Sequence, residues 1–160
     1  MPATYHYNSP IGILKIKEEN EHITGIRLLT EQEEIAKAEC QSPATSLLQE
    51  AHTQLAEYFS GERTQFTLPI AYPHGTPFQH AVWNALCAIP YGETRSYEDI
   101  AVAIGNPKAV RAIGQANTRN PILLLVPCHR VINKNCTIGG FGCGVEVKRK
   151  LLQLEGIEFK

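Results

Sequence analysis

The 160-residue chain lacks any apolar run long enough to cross a bilayer. Its opening residues, Met-Pro-Ala-Thr-Tyr-His, offer neither a basic start nor an apolar h-region, so no leader is read there and a cytoplasmic address is expected. Close cysteine pairs are missing as well. The five cysteines stand at 40, 87, 128, 136 and 143, odd in number and without a scaffold-like spacing, which suits free thiols in a reducing compartment. No Gly-Lys-Ser/Thr phosphate loop, internal repeat or low-complexity tract occurs. Residues 1–70 hold no ligand constellation; His22, Cys40 and His52 are scattered, as surface or packing residues are. Net charge is nearly absent too, at −1, but the chain is uneven. Residues 1–90 carry 5 Lys/Arg against 10 Asp/Glu, and residues 91–160 carry 10 against 6. A basic second half hints at a polyanionic partner.

What is present describes a soluble globular chain, 43% apolar and 19% charged, with room for one ordinary domain or two small ones. Thr4–Tyr7, Ile11–Ile16 and Ile23–Leu29 read as a three-stranded antiparallel meander, separated by Asn8-Ser9-Pro10 and the charged Glu18–Glu21 stretch. After an acidic connector, Ser42-Pro43 reads as the cap and first residue of a helix with Leu47, Leu48, Ala51, Leu55, Tyr58 and Phe59 on one face. Gly61 stops it, and Phe66–Leu68 is a further strand candidate. Pro73 and Gly75 mark a linker, dividing the chain into 1–72 and 73–160. Thr76-Pro77 caps a helix whose inner face is Phe78, Ala81, Val82, Ala85, Leu86 and Ile89. Ser96-Tyr97-Glu98-Asp99 has the form of a capping box, Gly105-Asn106 turns the chain, and Pro107 opens a second short helix to about Asn117.

Two short helices joined by a tight turn, the second carrying Lys108, Arg111 and Gln115, read as a helix-turn-helix. Ala109, Ala112, Gly114 and Ala116 leave the second helix few long side chains for base edges. Small residues permit close backbone approach, which suits the minor groove and little sequence preference. A last helix, Val145–Leu154, has Leu151, Leu152 and Leu154 as its apolar residues and Lys148, Arg149 and Lys150 outward, and Gly156 ends it.

The stretch Ile122–Ile132 organises the second half. Five apolar residues run up to Pro127, which ends any central strand, and Cys128, His129 and Arg130 follow before Val131 and Ile132. Reactive groups between two hydrophobic runs sit at a core edge, where a thiol can be held and tuned. An inert buried cysteine has the same local pattern. A cysteine nucleophile needs a base and the base an orienter; His129, through one bridging water, and Glu155 supply candidates. A zinc site from Cys128, His129, Cys136 and Cys143 competes, but the usual close cysteine pairs are missing; no metal and no cofactor are expected.

The run Pro127-Cys128-His129-Arg130-Val131 resembles the O6-alkylguanine-DNA alkyltransferases, as do Tyr97, Gly105-Asn106-Pro107, Arg111, Asn120-Pro121 and Lys148 through Glu155-Gly156. The resemblance implies an α+β protein: a ribonuclease H-like three-stranded antiparallel sheet plus helix over 1–72, then a mostly helical winged helix-turn-helix domain over 73–160. It implies a monomer that binds duplex DNA from the minor groove, flips out O6-alkylguanine (with O4-methylthymine as a second candidate lesion), and transfers the alkyl group to Cys128 in a single turnover. In that scheme Arg111 fills the vacated stack, Ala109, Ala112, Gly114 and Gln115 lie along the DNA, and Tyr97 assists rotation and donates a proton. His129 takes the thiol proton, Glu155 orients it, and Asn120 braces the helix against the cysteine loop. Val131, Phe141, Gly142, Cys143 and Lys148 surround the base, with the carbonyls of Cys128 and Val131 accepting from its amino group. Phe141 departs from the tyrosine that many members place near guanine O6. Alternatives are a lesion binder without transfer, which lacks the nucleophile, and a helix-turn-helix regulator, which needs a sequence-reading helix.

Overall fold

The computed structural model describes residues 2–36 and 45–160 and divides into two compact units, one of residues 1–73 with 121–123, the other of 74–120 with 124–160. The first unit is built on a meander of β1 (Ala3–Ser9), β2 (Gly12–Glu19) and β3 (His22–Leu28). Tyr5 pairs with Ile16 and Ile16 with Ile26, so every second residue turns the same way. Asn20 and Glu21 both take positive φ, the backbone of a tight two-residue hairpin turn. Leu14, Ile16, Ile23 and Ile26 are fully buried with Leu48, Ala51, Leu55 and Tyr58 of α2 (Ser46–Phe59). Thr45, not the expected Ser42, caps α2 by accepting from Leu48 N; Ser42 and Pro43 lie outside the described residues. A short helix, α1 (Glu31–Ala36), occupies part of the expected connector.

Two expectations fail at the open edge of β3. Phe66–Leu68 forms no strand; Gln54, buried on α2, holds Thr67 through its backbone amide and hydroxyl instead. The apolar run after Asn120 is not one strand either. Ile70 and Ile122 each make a single bridge to β3, with Ile26 N donating to Pro121 O and Leu123 N to Ile26 O. These passages satisfy the backbone groups an edge strand leaves open. Leu124 then adopts φ 74°, uncommon for a branched side chain, and the chain re-enters the second unit.

The second unit packs α3 (Pro77–Cys87), α4 (Tyr97–Ala103), α5 (Val110–Thr118) and α6 (Val145–Leu154) with a parallel two-stranded ladder of β4 (Arg95–Ser96) and β5 (Val131–Ile132). Capping boxes at Thr76 and Ser96 start α3 and α4. Trp83, absent from the expected inner face of α3, is its fully buried anchor, while Ala81 is exposed. Trp83 Nε1 donates to Ala116 O at 2.9 Å, so Ala116 faces the core and not the outer surface; a small residue there lets the indole reach the helix backbone. Helix α5 begins at Val110, three residues beyond Pro107.

Candidate active site

Pro127 turns the chain just before Cys128. Its φ of −80° and ψ of 67°, with Cys128 N donating to Val126 O at 2.8 Å, make an inverse γ-turn. One 3₁₀ turn, Cys128–Arg130, follows and leads into β5. The end of α5 grips this turn: Asn117 Nδ2 donates to Cys128 O at 3.3 Å, and Asn120 Nδ2 to Val126 O at 2.7 Å. Asn120 also hydrogen-bonds the Cys128 side chain and favours its thiolate. Cys128 is only 3% exposed, and burial pushes its thiol up to about 12. Asn120 and the Lys148 ammonium oppose that rise, and Cys143 adds to it.

His129 and Arg130 point away into a buried ionic cluster. The His129 Nε2–H donates to Glu155 Oε2 at 2.5 Å, while Nδ1 is buried without a protein partner. Arg130 Nε reaches Glu155 Oε1 at 2.8 Å and its Nη2 reaches Oε2 at 3.2 Å; Nη1 donates to Ile89 O at 2.7 Å. Tyr91 lies under the guanidinium, 5.7 Å from ring centre to Cζ, and Gly92 N donates to Glu155 Oε1 at 3.3 Å. Glu155 terminates α6, where a helix end disfavours a negative charge; Arg130 and His129 supply the compensation.

Burial holds the His129 imidazole below the ordinary histidine value, with Glu155 pulling the other way. A neutral imidazole with Nε2–H on Glu155 leaves Nδ1 as the proton acceptor. Because the folded form resists protonation, its stability contribution is complete above the unfolded value of 6.5 and is lost as pH falls towards the lower folded value. With His129 as the base that the resemblance implies, the transfer rate is expected to hold from neutral pH to below 6.5 and then fall together with thermal stability. Single-turnover rates and melts from pH 8 to about 5 check this. A rate that halves near pH 7 would sink it.

Lys148, read from sequence as an outward-facing helix residue, is fully buried. Its Nζ donates to Val131 O at 2.6 Å and Gly140 O at 3.1 Å, and burial lowers its pKa to about 8. The two base-facing carbonyls expected from the resemblance thus already accept protein donors, Cys128 O from Asn117 and Val131 O from Lys148. The loop over Lys148 places the Phe141 ring 6.0 Å from Nζ, and a Cβ at Gly142 would lie 3.3 Å from Thr118 Cγ2. Tyr97, the first residue of α4, is half-buried beside this loop: its hydroxyl lies 3.5 Å from a Cβ built on Gly139. Burial, then the Cys128 charge, raises its phenol.

On α5, Arg111, Ala112 and Gln115 are exposed, Ala109 and Gly114 are half-buried, and Ile113, Ala116 and Asn117 turn inward. The structure therefore gathers Cys128, His129, Glu155, Asn120, Tyr97, Val131, Phe141, Gly142, Cys143 and Lys148 in one unit, with Arg111 on an outer face of the same unit. Sequence reasoning missed the roles of Arg130 and Asn117. Arg130 had a signal, its place in the Pro-Cys-His-Arg run; Asn117 had none.

Residues 77–157 match the family described as 6-O-methylguanine DNA methyltransferase, DNA binding domain, and residues 4–72 match its ribonuclease-like domain. The constitutive methylated-DNA–protein-cysteine methyltransferase of Bacillus subtilis is 50% identical over 158 residues, covering 95% of this chain and 94% of that protein. The Methanosarcina acetivorans protein of the same name is 45% identical over 150 residues, covering 94% and 96%. Among solved structures, the Mycobacterium tuberculosis O6-methylguanine methyltransferase superposes with a TM-score of 0.84 at 43% identity, covering 97% of this chain and 93% of that one. A second Mycobacterium tuberculosis structure, in complex with DNA, gives 0.84 and 43%, covering 95% and 91%. Both units carry the family's domains and the likeness runs nearly end to end, so the chain belongs to the methylated-DNA–protein-cysteine methyltransferase family.

Proposed function

We infer that this protein repairs duplex DNA by moving the alkyl group of O6-alkylguanine onto Cys128, once per molecule. The carrying observation is the buried row Cys128, His129, Glu155 in a chain of this family. In the reaction the Cys128 thiol gives its proton, through water, to His129 Nδ1, and sulfur attacks the alkyl carbon in line. The S–C bond forms as the O6–C bond breaks, and guanine leaves as its ring accepts a proton from the Tyr97 hydroxyl. No step regenerates the thiol, so each molecule acts once.

A thiol pushed up to about 12 is mostly neutral at rest, which protects it from stray electrophiles. Lys148 and Asn120 favour the thiolate at the moment of transfer. The alkyl group is out of reach inside the stack, so the base must be flipped, and a poorly paired lesion costs less to extrude. The exposed Arg111, Ala112 and Gln115 of α5 fit close approach to the minor groove, Arg111 occupying the space the base leaves. Val131, Phe141, Gly142, Cys143 and Lys148 enclose the base. The protein works as a cytoplasmic monomer without a cofactor; among the described residues no helix is long and apolar enough to cross a membrane.

Intact-protein mass spectrometry after mixing with duplex DNA bearing one O6-methylguanine tests the reading. One methyl on the Cys128 peptide, stopping at one equivalent and lost in Cys128→Ser, is the expected result. DNA binding without any mass gain would make the protein a lesion sensor.

A further inference from the structure

Among the described residues, three buried side-chain atoms capable of hydrogen bonding have no protein partner: Thr24 Oγ1, Asn117 Oδ1 and His129 Nδ1. Thr24 belongs to the first unit, and the other two flank Cys128 in the second. His129 is the next residue in the chain. Asn117 Nδ2 donates at 3.3 Å to Cys128 O, the carbonyl of the peptide that joins Cys128 to His129. The oxygen and nitrogen of an amide are about 2.3 Å apart, so Asn117 Oδ1 lies within about 6 Å of that carbonyl oxygen. Reversing the amide gives no relief, because two carbonyl oxygens would then face each other. The chain is pinned on both sides of Asn117, by Trp83 Nε1 on Ala116 O and by Asn120 Nδ2 on Val126 O. A clamp on the Cys128 carbonyl needs only the Nδ2–H; burying the oxygen unpaired costs its full desolvation. Nor can the two orphaned atoms satisfy each other. With Nε2–H given to Glu155, His129 Nδ1 is an acceptor, and so is Asn117 Oδ1. What serves both is a donor of two hydrogens, and water is the smallest such molecule.

We propose that Asn117 is a positioning residue for alkyl transfer: its Oδ1 and His129 Nδ1 hold between them the water that carries the Cys128 proton to the imidazole. This rests on the reading of Cys128 as the alkyl acceptor. Both hydrogens of the water are then donated, one to each acceptor, which leaves its lone pairs for the thiol S–H. The S–H proton moves onto the water oxygen as the hydrogen facing Nδ1 passes to the imidazole. The hydrogen on Asn117 Oδ1 stays where it is, water is regenerated, and thiolate and imidazolium result. Sulfur then forms the S–C bond as the O6–C bond breaks. An amide suits this task because it does not titrate, so it holds the water in one orientation at every pH at which His129 acts as base.

Two measurements test this. In a high-resolution crystal structure of the full chain, one ordered water is expected within about 3.2 Å of both Asn117 Oδ1 and His129 Nδ1. No water there, or a protein donor on Asn117 Oδ1, overturns the proposal. The second measurement is single-turnover transfer by Asn117→Leu, which keeps the volume and removes the amide. Its rate is expected to be about 10²-fold below wild type at pH 7. It should also rise about tenfold from pH 6.5 to 7.5, since the thiol must then lose its proton to hydroxide. Wild type is expected to be flat over that interval, which lies above the His129 titration and below that of Lys148 at about 8. The charged groups acting on the imidazole, Glu155, Arg130 and Lys148, are the same in both proteins. Loss of the grip on Cys128 O alone would lower the rate by one factor at every pH, so a flat Asn117→Leu profile also overturns the proposal. Asn117→Ser, which keeps a hydroxyl for the water, is expected to restore the flat profile at an intermediate rate. The wild-type crystal structure decides the question even where Asn117→Leu does not fold. Failure of the wild type to take up one methyl counts against the alkyl-transfer reading, and the shared water is then still decided by crystallography.

Discussion

Glu155→Ala is expected to lower folding stability by about 3–5 kcal/mol and to slow alkyl transfer about 10²–10⁴-fold. The carboxylate is buried and collects the His129 imidazole, two Arg130 nitrogens and Gly92 N. Its removal strands a guanidinium, itself 7% exposed, with Ile89 O and the Tyr91 face as remaining partners. An uncompensated buried charge is the expensive outcome, far more so than the loss of the ion pair as such. Arg130→Met combined with Glu155→Leu should therefore recover a good part of the loss in stability and none of the loss in rate. Urea melts of the single and double variants measure the first, single-turnover transfer the second. If Glu155→Ala melts within about 1 kcal/mol of wild type, the cluster is solvated in solution and the argument fails.

The split between Arg130 and His129 shows what a sequence can and cannot reveal about this site. Cys128, His129 and Arg130 are consecutive, and their residue types make the first a candidate nucleophile and the second a candidate base. That both basic residues converge on one carboxylate 25 and 26 positions later depends on where α6 ends, which is a packing outcome. The meander was legible because its alternation and turn residues are local. The covering of the β3 edge by Ile70 and Ile122 was not, since each passage is a single bridge with no period to detect. The apolar run that invited one strand serves two purposes, closing that edge and then turning at Leu124 to present Cys128. Ala116 misled for a related reason. A small residue on a helix reads equally as surface and as clearance for a large neighbour, and only the position of Trp83 decides. Lys148 is the sharpest case, because a lysine between Val147 and Arg149 on a terminal helix gives no sign that it is buried.

That lysine supports the last expectation: Lys148→Met should slow transfer about 10²–10³-fold while changing stability at neutral pH by no more than about 1 kcal/mol. Methionine matches the length and keeps the packing, so the variant removes a charge and two hydrogen bonds with little change in volume. Val131 O and Gly140 O lose a donor, which destabilises. Against this, the folded protein no longer carries a cation that burial disfavours. Lys148 titrates near 8 in the folded chain against an ordinary 10.5. A lowered folded pKa contributes stability above 10.5 that is lost as pH falls through 8, so at neutral pH the wild type bears the full cost of the buried charge. The difference in stability between variant and wild type should accordingly shift in the variant's favour as pH falls from 10.5 to 8. The rate has no such compensation, because the ammonium favours the Cys128 thiolate against a burial that pushes the thiol up to about 12. Urea melts across that pH range and single-turnover transfer at neutral pH separate the two effects. A Lys148→Met protein that transfers within threefold of wild type would show that Asn120 alone suffices to hold the developing thiolate.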